Sequence, residues 1–172
     1  FKLVIEHPPR DVEEQLLRSV RDGVDAAELE AARLEPAVDP AGVVAMQQAV
    51  ASIRVDEAII GYIARLTEST RHHRAVQVGA SPRAAIALLR TAQVRAAVDG
   101  RDFVVPDDVK RHAPAVLRHR LILQPDAEIE GVTADEVIRG VLLDVDVPGL
   151  GEAKPAASAP AVPVDRGGVL QG

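Results

Sequence analysis

Five helix-start signals follow one another along the chain, and they constrain its fold more than any other feature. Each combines a capping side chain or a first-turn proline with apolar residues that recur downstream at helical spacing. They are Asp39-Pro40, Asp56, Ser81-Pro82, Pro106-Asp107 and the pair Thr133 and Glu136. With two Phe, one Tyr and no Trp, the apolar faces consist mainly of Val, Leu, Ile and Ala. Such side chains suit helices packed on helices, so the sequence predicts a mainly α-helical bundle.

The expected helices are separated by short breaks. Asp56 is the predicted cap of a helix whose apolar positions are Ile59, Ile60, Ile63 and Leu66. Residues 81–99 are expected to form a long helix with the apolar stripe Ala85, Leu88, Leu89, Ala92 and Ala96. The next helix, from residue 106, is expected to be interrupted or kinked at Pro114. The segment RLIL at 120–123 predicts a short strand or a buried extended segment, and a last helix is predicted over residues 134–144.

The two ends of the chain differ from this middle part. The alternating segment FKLVIE at 1–6 predicts one strand, the last of a sheet whose other strands lie upstream. A helix with one apolar face is expected over residues 9–23, and a short helix over residues 25–36. The first residue is Phe1 and the single Met is Met46, so we expect a processed or excised part of a longer protein. Residues 149–172 lack periodicity and predict a flexible tail.

The chain is acidic overall, with a net charge of −6, but one segment is basic. Residues 71–120 hold ten Lys and Arg, nine of them Arg, against four Asp and Glu. Arg suits planar, bidentate contact with phosphate or carboxylate groups. One alternative function is therefore a helical nucleic-acid-binding module, although the acidic remainder and the scarcity of stacking aromatic side chains weigh against it. A second alternative is a passive helical interaction domain.

Several signatures of enzymes and metal sites are absent from the sequence. None of the three lysines follows a glycine, so there is no G-x-x-x-x-G-K-[ST] phosphate loop. The five histidines lack the spacing and the third ligand of a zinc site, so we expect no metal site and no catalytic residue in this chain. There is no Cys, no long uncharged apolar run and no signal pattern. We therefore expect a cytoplasmic protein without a membrane span.

The segment GASPR at residues 79–83 begins the most regular predicted helix. Ser81 can cap this helix and Pro82 can occupy its first turn, which leaves Arg83 at a helix N-terminus whose free N–H groups favour an anion. Gly79 permits an unusual backbone angle or a close approach of the chain. The local pattern leaves two interpretations open: a plain solvent-exposed helix start, or a contact with a phosphate.

Residues 78–123 contain two motifs, G-A-S-P-R-A and G-R-D-F-V-V-P-D-D-V-K. With these motifs, the segment resembles the C-terminal lid of the MoxR family of AAA+ ATPases. The segments RVDEAIIGYIARLTESTR upstream and EGVTADEVIRGVLLDVDVP downstream are similar to the same family. The resemblance spans nearly all of residues 1–148. It implies a small helical lid domain over residues 37–148, preceded at 1–36 by the end of an α/β ATPase core that includes its last strand.

The resemblance also implies a site and partners. Arg83 matches the sensor 2 arginine, which reaches the ATP phosphates, with Ser81 and Pro82 beside it. The longer protein is expected to bind ATP and Mg²⁺ and to hydrolyse ATP. The Walker A and Walker B motifs would precede this chain, so the chain alone is expected to be inactive and to bind little or no ATP. The family implies a homo-oligomeric ring, expected to be a hexamer, that remodels or matures client proteins with von Willebrand factor A domain proteins and without nucleic acid.

Overall fold

The computed structural model describes residues 1–23 and 36–149, which fall into two compact units. One unit is Leu3–Val44, and the other combines Phe1–Lys2 with Ala45–Gly172. The short helix predicted over residues 25–36 lies almost entirely outside the described residues. The same holds for the tail predicted at 149–172.

The smaller unit contains the first helix and the beginning of the second. Helix α1 spans Arg10–Arg21 and α2 spans Pro40–Ala51, and each begins within one residue of its predicted start. The sequence predicted that α2 would continue to Ile53, but the helix ends two residues earlier. An Asp39 carboxylate oxygen accepts a hydrogen bond from the Gly42 N–H at 2.6 Å, which confirms the predicted start of α2. The apolar side chains on one face of α1 are exposed in this unit: Val12, Leu16, Leu17 and Val20.

The strand predicted at residues 1–6 is not formed. Residues 1–9 have no regular secondary structure and are exposed. A strand needs a neighbour for its backbone hydrogen bonds, and no strand among the described residues pairs with this segment.

The larger unit is a helical bundle with a small two-stranded sheet. After α2, its elements are α3 (Glu57–His72), β1 (Val76–Val78), α4 (Pro82–Val98), α5 (Pro106–Leu117), β2 (Ile122–Leu123), α6 (Pro125–Ile129) and α7 (Ala134–Asp144). Strand β1 pairs antiparallel with β2, with Val76 opposite Leu123. The mainly helical fold class is confirmed. The predicted caps at Asp56 and Thr133 also form, because Asp56 accepts from the Ala58 N–H and Thr133 exchanges hydrogen bonds with Glu136.

The core lies between α3, α4, α5 and α7, and it differs from the prediction at several positions. Ile60 is 43% exposed, because it lies on the outer face of α3. The buried face of α4 is centred on Ala84, Leu88, Ala92, Gln93 and Ala96, while Ala85 and Leu89 are only half-buried. Gln93 is accommodated because its side-chain N–H donates to the Ile53 carbonyl at 3.0 Å. Helix α5 continues through Pro114, and the sequence did not predict α6.

Candidate functional site

The start of α4 brings the three predicted site residues together on an exposed surface. Ser81 has the extended backbone of an N-cap residue, with φ −80° and ψ 166°, and Pro82 follows in the first turn. The Ser81 hydroxyl makes no capping hydrogen bond; instead the Ser81 carbonyl accepts from the Ala84 N–H at 2.8 Å. Ser81, Pro82 and Arg83 are exposed, whereas Ala84 is fully buried. The buried alanine anchors the turn that presents Arg83 to solvent.

Arg83 is chemically available at this position. Its guanidinium forms no hydrogen bond or ion pair with any residue in the described parts of the chain. It lies in the first turn of a 17-residue helix, where unpaired N–H groups and the helix dipole favour an anion. A planar guanidinium offers several donors to phosphate oxygens. The arrangement therefore fits an anionic ligand better than a cation or an apolar one.

Two residues that sequence reasoning missed support this helix start. Thr70 and Arg71 lie in the last turn of α3, and their side chains hydrogen-bond the N–H and the carbonyl of Ala80, at 2.9 and 2.8 Å. Thr70 is fully buried although it is polar. The sequence contains a signal for the burial of Thr70, because Thr67 and Thr70 recur at helical spacing on the apolar face of α3, but none for Arg71.

Gly79 is required for close approach and not for an unusual backbone angle. A Cβ atom at this position would lie 2.6 Å from the Arg71 Cα and 2.7 Å from the Arg71 N. Real Cβ atoms do not approach backbone atoms so closely, so any side chain would push the loop away from α3. Of the two roles that the sequence left open for Gly79, the structure selects close packing.

The second family motif builds an ion-pair cluster before α5. The Arg101 guanidinium donates to both carboxylate oxygens of Asp108, at 2.8 and 2.6 Å, and also to Asp99 at 3.0 Å. Asp108 is 3% exposed and accepts a further hydrogen bond from the Val105 N–H at 2.9 Å. The hydrogen bond from Arg101 lowers the pKa of the Asp99 carboxyl below its ordinary value. This cluster satisfies its own charges, so it holds the loop and offers no free guanidinium.

A mostly apolar groove of about 380 Å³ lies beside the other end of α4. Its walls include Phe1, Val94, Val98 and His112. Burial lowers the pKa of the His112 imidazole below its ordinary value. Arg83 is not among its lining residues. Within residues 1–23 and 36–149, no group of three His, Cys, Asp or Glu side chains could hold a metal ion. Arg83 is exposed, and it lies outside this groove.

Residues 68–141 match the family model described as "AAA lid domain". The similarity to MoxR proteins is confirmed by two relatives. The chain is 37% identical over 112 residues to "Chaperone MoxR1" of Mycobacterium tuberculosis. The aligned segment covers 60% of this chain and 30% of MoxR1. It is 42% identical over 76 residues to "Protein MoxR" of Methylorubrum extorquens, which covers 44% of this chain and 22% of that protein.

Two further comparisons extend over more of the chain. "Uncharacterized protein YeaC" of Bacillus subtilis is 40% identical over 115 residues, which covers 67% of this chain and 36% of YeaC. The crystal structure of a "putative ATPase" from Cytophaga hutchinsonii superposes with a TM-score of 0.71 at 27% identity, covering 84% of this chain and 45% of that one. The chain thus spans about a third of YeaC and of MoxR1.

Proposed function

We propose that this chain is the lid-containing part of a MoxR-type AAA+ ATPase. In this proposal, residues 1–36 end the ATPase core, residues 37–148 form the lid, and residues 149–172 are a tail. The lid couples ATP binding and hydrolysis to chaperone-like remodelling or maturation of partner proteins. The match of residues 68–141 to the AAA lid domain and the relative named as a chaperone support this proposal.

Arg83 carries the proposal, as the sensor 2 arginine that contacts the ATP phosphates. It is exposed, it lies in the first turn of α4, and it has no partner in the described parts of the chain. As charge develops on the phosphates during hydrolysis, a positioned guanidinium stabilises it. Because Arg83 belongs to the lid, the same contact transmits the nucleotide state to the orientation of the lid.

ATP and Mg²⁺ belong to the longer protein in this proposal. Arg83 and the positive end of α4 fit a phosphate group of ATP. The lid would respond to the negative charge of that phosphate. The described residues offer no cluster of ligands for Mg²⁺, so residues beyond them would hold the ion. The sequence also lacks a phosphate loop. In this proposal the chain alone contributes one phosphate contact and binds little or no ATP.

The partners are proposed from the same resemblance. The longer protein assembles into a homo-oligomeric ring, which we expect to be a hexamer, in the cytoplasm, and it acts on client proteins with von Willebrand factor A domain proteins. In the described part of the chain, no helix has both the length and the apolar character needed to cross a membrane.

The nucleic-acid alternative is weakened by how the basic segment is used. Several of its arginines pair with carboxylates inside the unit: Arg95 with Asp99, Arg101 with Asp99 and Asp108, and Arg118 with Asp135. Tyr62 is fully buried, so its ring cannot stack on a base. We therefore favour the ATPase lid over a nucleic-acid-binding module.

The test is Arg83→Ala in the full-length protein, with ATP turnover and affinity for a non-hydrolysable ATP analogue as readouts. We expect turnover to fall by at least about tenfold, because a donor to the developing charge is lost. The matched control is Arg139→Ala, since Arg139 is an exposed arginine on α7, and it should leave turnover unchanged. Unchanged turnover and affinity in Arg83→Ala would overturn the sensor assignment.

A further inference from the structure

The residue before the N-cap of α4 is held by two consecutive side chains of α3. The Thr70 hydroxyl accepts a hydrogen bond from the Ala80 N–H at 2.9 Å and donates its proton to the Thr67 carbonyl at 2.7 Å. The Arg71 Nε donates to the Ala80 carbonyl at 2.8 Å. Both backbone polar groups of Ala80 are therefore bonded to α3, and the Thr70 hydroxyl both donates and accepts a hydrogen bond.

Steric packing fixes the same segment. Gly79 lies so close to the Arg71 backbone that no side chain fits between them. Ala80 is 1% exposed and Thr70 is fully buried, so solvent does not compete for their hydrogen bond. The chain leaves this contact directly into Ser81 and the first turn of α4. A shift of Ala80 relative to α3 would therefore move the turn that holds Arg83.

We propose that Thr70 and Arg71 are positioning residues for Arg83, an inference that rests on the proposed function. They fix the start of α4 against α3, and through it the place from which the Arg83 guanidinium reaches a phosphate. A displacement of about 1 Å in a catalytic constellation can cost up to about a hundredfold in rate. Arg71 also brings its positive charge to the residue before the N-cap, which raises the attraction of this helix start for an anion.

The sharpest variant is Thr70→Val in the full-length protein, because valine keeps the shape of threonine and replaces its hydroxyl with a methyl group, which cannot form these hydrogen bonds. We expect kcat for ATP turnover to fall about tenfold, with a smaller change in KM. The matched control is Thr70→Ser, which keeps the hydroxyl and should stay within about twofold of the wild-type rate. Equal rates for Thr70→Val and wild type would overturn the proposal, as would an equally slow Thr70→Ser.

A double mutant separates positioning from a merely structural role. In an Arg83→Ala background, Thr70→Val should reduce kcat no further, because the side chain that it positions is already gone. If Thr70 only stabilised the fold, the same substitution would lower kcat by the same factor in both backgrounds, and the proposal would be wrong. The melting temperature of each variant, measured alongside, shows whether activity is lost while the protein remains folded.

Arg71 offers an independent check of the same idea. Arg71→Lys keeps the positive charge but cannot reproduce the planar Nε donor, so we expect it to be slower than wild type by about the same factor as Thr70→Val. Wild-type activity in Arg71→Lys would remove Arg71 from the proposal. If Arg83→Ala lowers turnover while Thr70→Val and Arg71→Lys do not, the positioning inference fails and the proposed function stands. If Arg83→Ala itself has no effect, the proposed function fails.

Discussion

The starts of α4 and α5 both have a proline and a nearby arginine, but the two arginines make different interactions. Both helices begin at a proline, and each has an arginine within five residues of that proline. Arg101, before α5, forms a bidentate ion pair with Asp108 and a hydrogen bond with Asp99, and its side chain is 26% exposed. Arg83, after Pro82, is exposed and has no partner in the described parts of the chain.

This difference separates an arginine that holds a fold from one that is available to a ligand. Arg101 gives its donors to carboxylates and to the Phe103 carbonyl, so its removal leaves buried Asp108 without its cation. The Arg83 side chain makes no hydrogen bond or ion pair within the described residues, so its removal leaves no buried group unpaired there. The two positions should therefore respond to substitution in different measurements: stability for one, and ligand response for the other.

The largest expected effect on stability is that of Arg101→Met. This substitution leaves the Asp108 carboxylate, 3% exposed, without its charge partner, and we expect the free energy of unfolding to fall by about 3 kcal/mol. Urea unfolding of this chain, followed by circular dichroism, measures the change. The contrasting variant is Arg83→Ala, which should stay within about 0.5 kcal/mol of wild type. A comparable loss in both variants would break the distinction between the two helix starts.

The two glycines that precede these helices give the next effect. Gly79→Ala forces a Cβ against the Arg71 backbone, and we expect a loss of about 2 kcal/mol in the free energy of unfolding. Gly100 has open space around it but a φ of 71°, so Gly100→Ala should cost only about 1 kcal/mol through backbone strain. Thermal unfolding of both variants tests the order, and a larger loss for Gly100→Ala would contradict the close-packing role of Gly79.

Local sequence signals were sufficient for most of the fold. The caps at Asp39, Asp56 and Thr133 correctly predicted the starts of α2, α3 and α7, because a capping side chain acts on its own helix. The strand at residues 1–6 was not formed, since a strand depends on a neighbour that its own sequence does not specify. The burial of Gln93 also depends on a distant partner, the Ile53 carbonyl, which helical periodicity cannot identify.

The sequence predicted the exposed arginine of the candidate site, but not the residues that hold its helix start in place. The motif identified Arg83 and its place at a helix start, because these follow from consecutive residues. The supporting roles of Thr70 and Arg71 were not predicted, because their hydrogen bonds to Ala80 join positions that lie ten and nine residues apart across a loop. The ion pair between Arg101 and Asp108 was not predicted either, but for a different reason. The sequence shows an arginine and an aspartate, but it does not show that the carboxylate is buried.

The smallest expected effect is on the pKa of Asp99. The hydrogen bond from Arg101 lowers the pKa of the Asp99 carboxyl below its ordinary value of 3.8, and Arg95 lowers it further. A carboxyl whose pKa is lower in the folded state stabilises the fold above about pH 4, and this contribution is lost as the pH falls through the folded pKa. In Arg101→Lys, a single ammonium cannot contact both carboxylates with the same geometry, so the pKa of Asp99 should rise toward 3.8.

A carboxyl-carbon NMR titration of Asp99 measures that rise, and the unfolding free energy should then decline less steeply below about pH 4. The rise should be incomplete, because the Arg95 guanidinium remains 2.7 Å from the other Asp99 oxygen. Arg83→Ala should leave the titration unchanged, since Arg83 is not among the groups that shift the pKa of Asp99. A shift in Arg83→Ala would mean that the charges at the two helix starts are not independent. An unchanged pKa in Arg101→Lys would mean that the Arg101 hydrogen bond does not lower the pKa of Asp99. Either result would remove the electrostatic basis of the contrast between a structural and an available arginine.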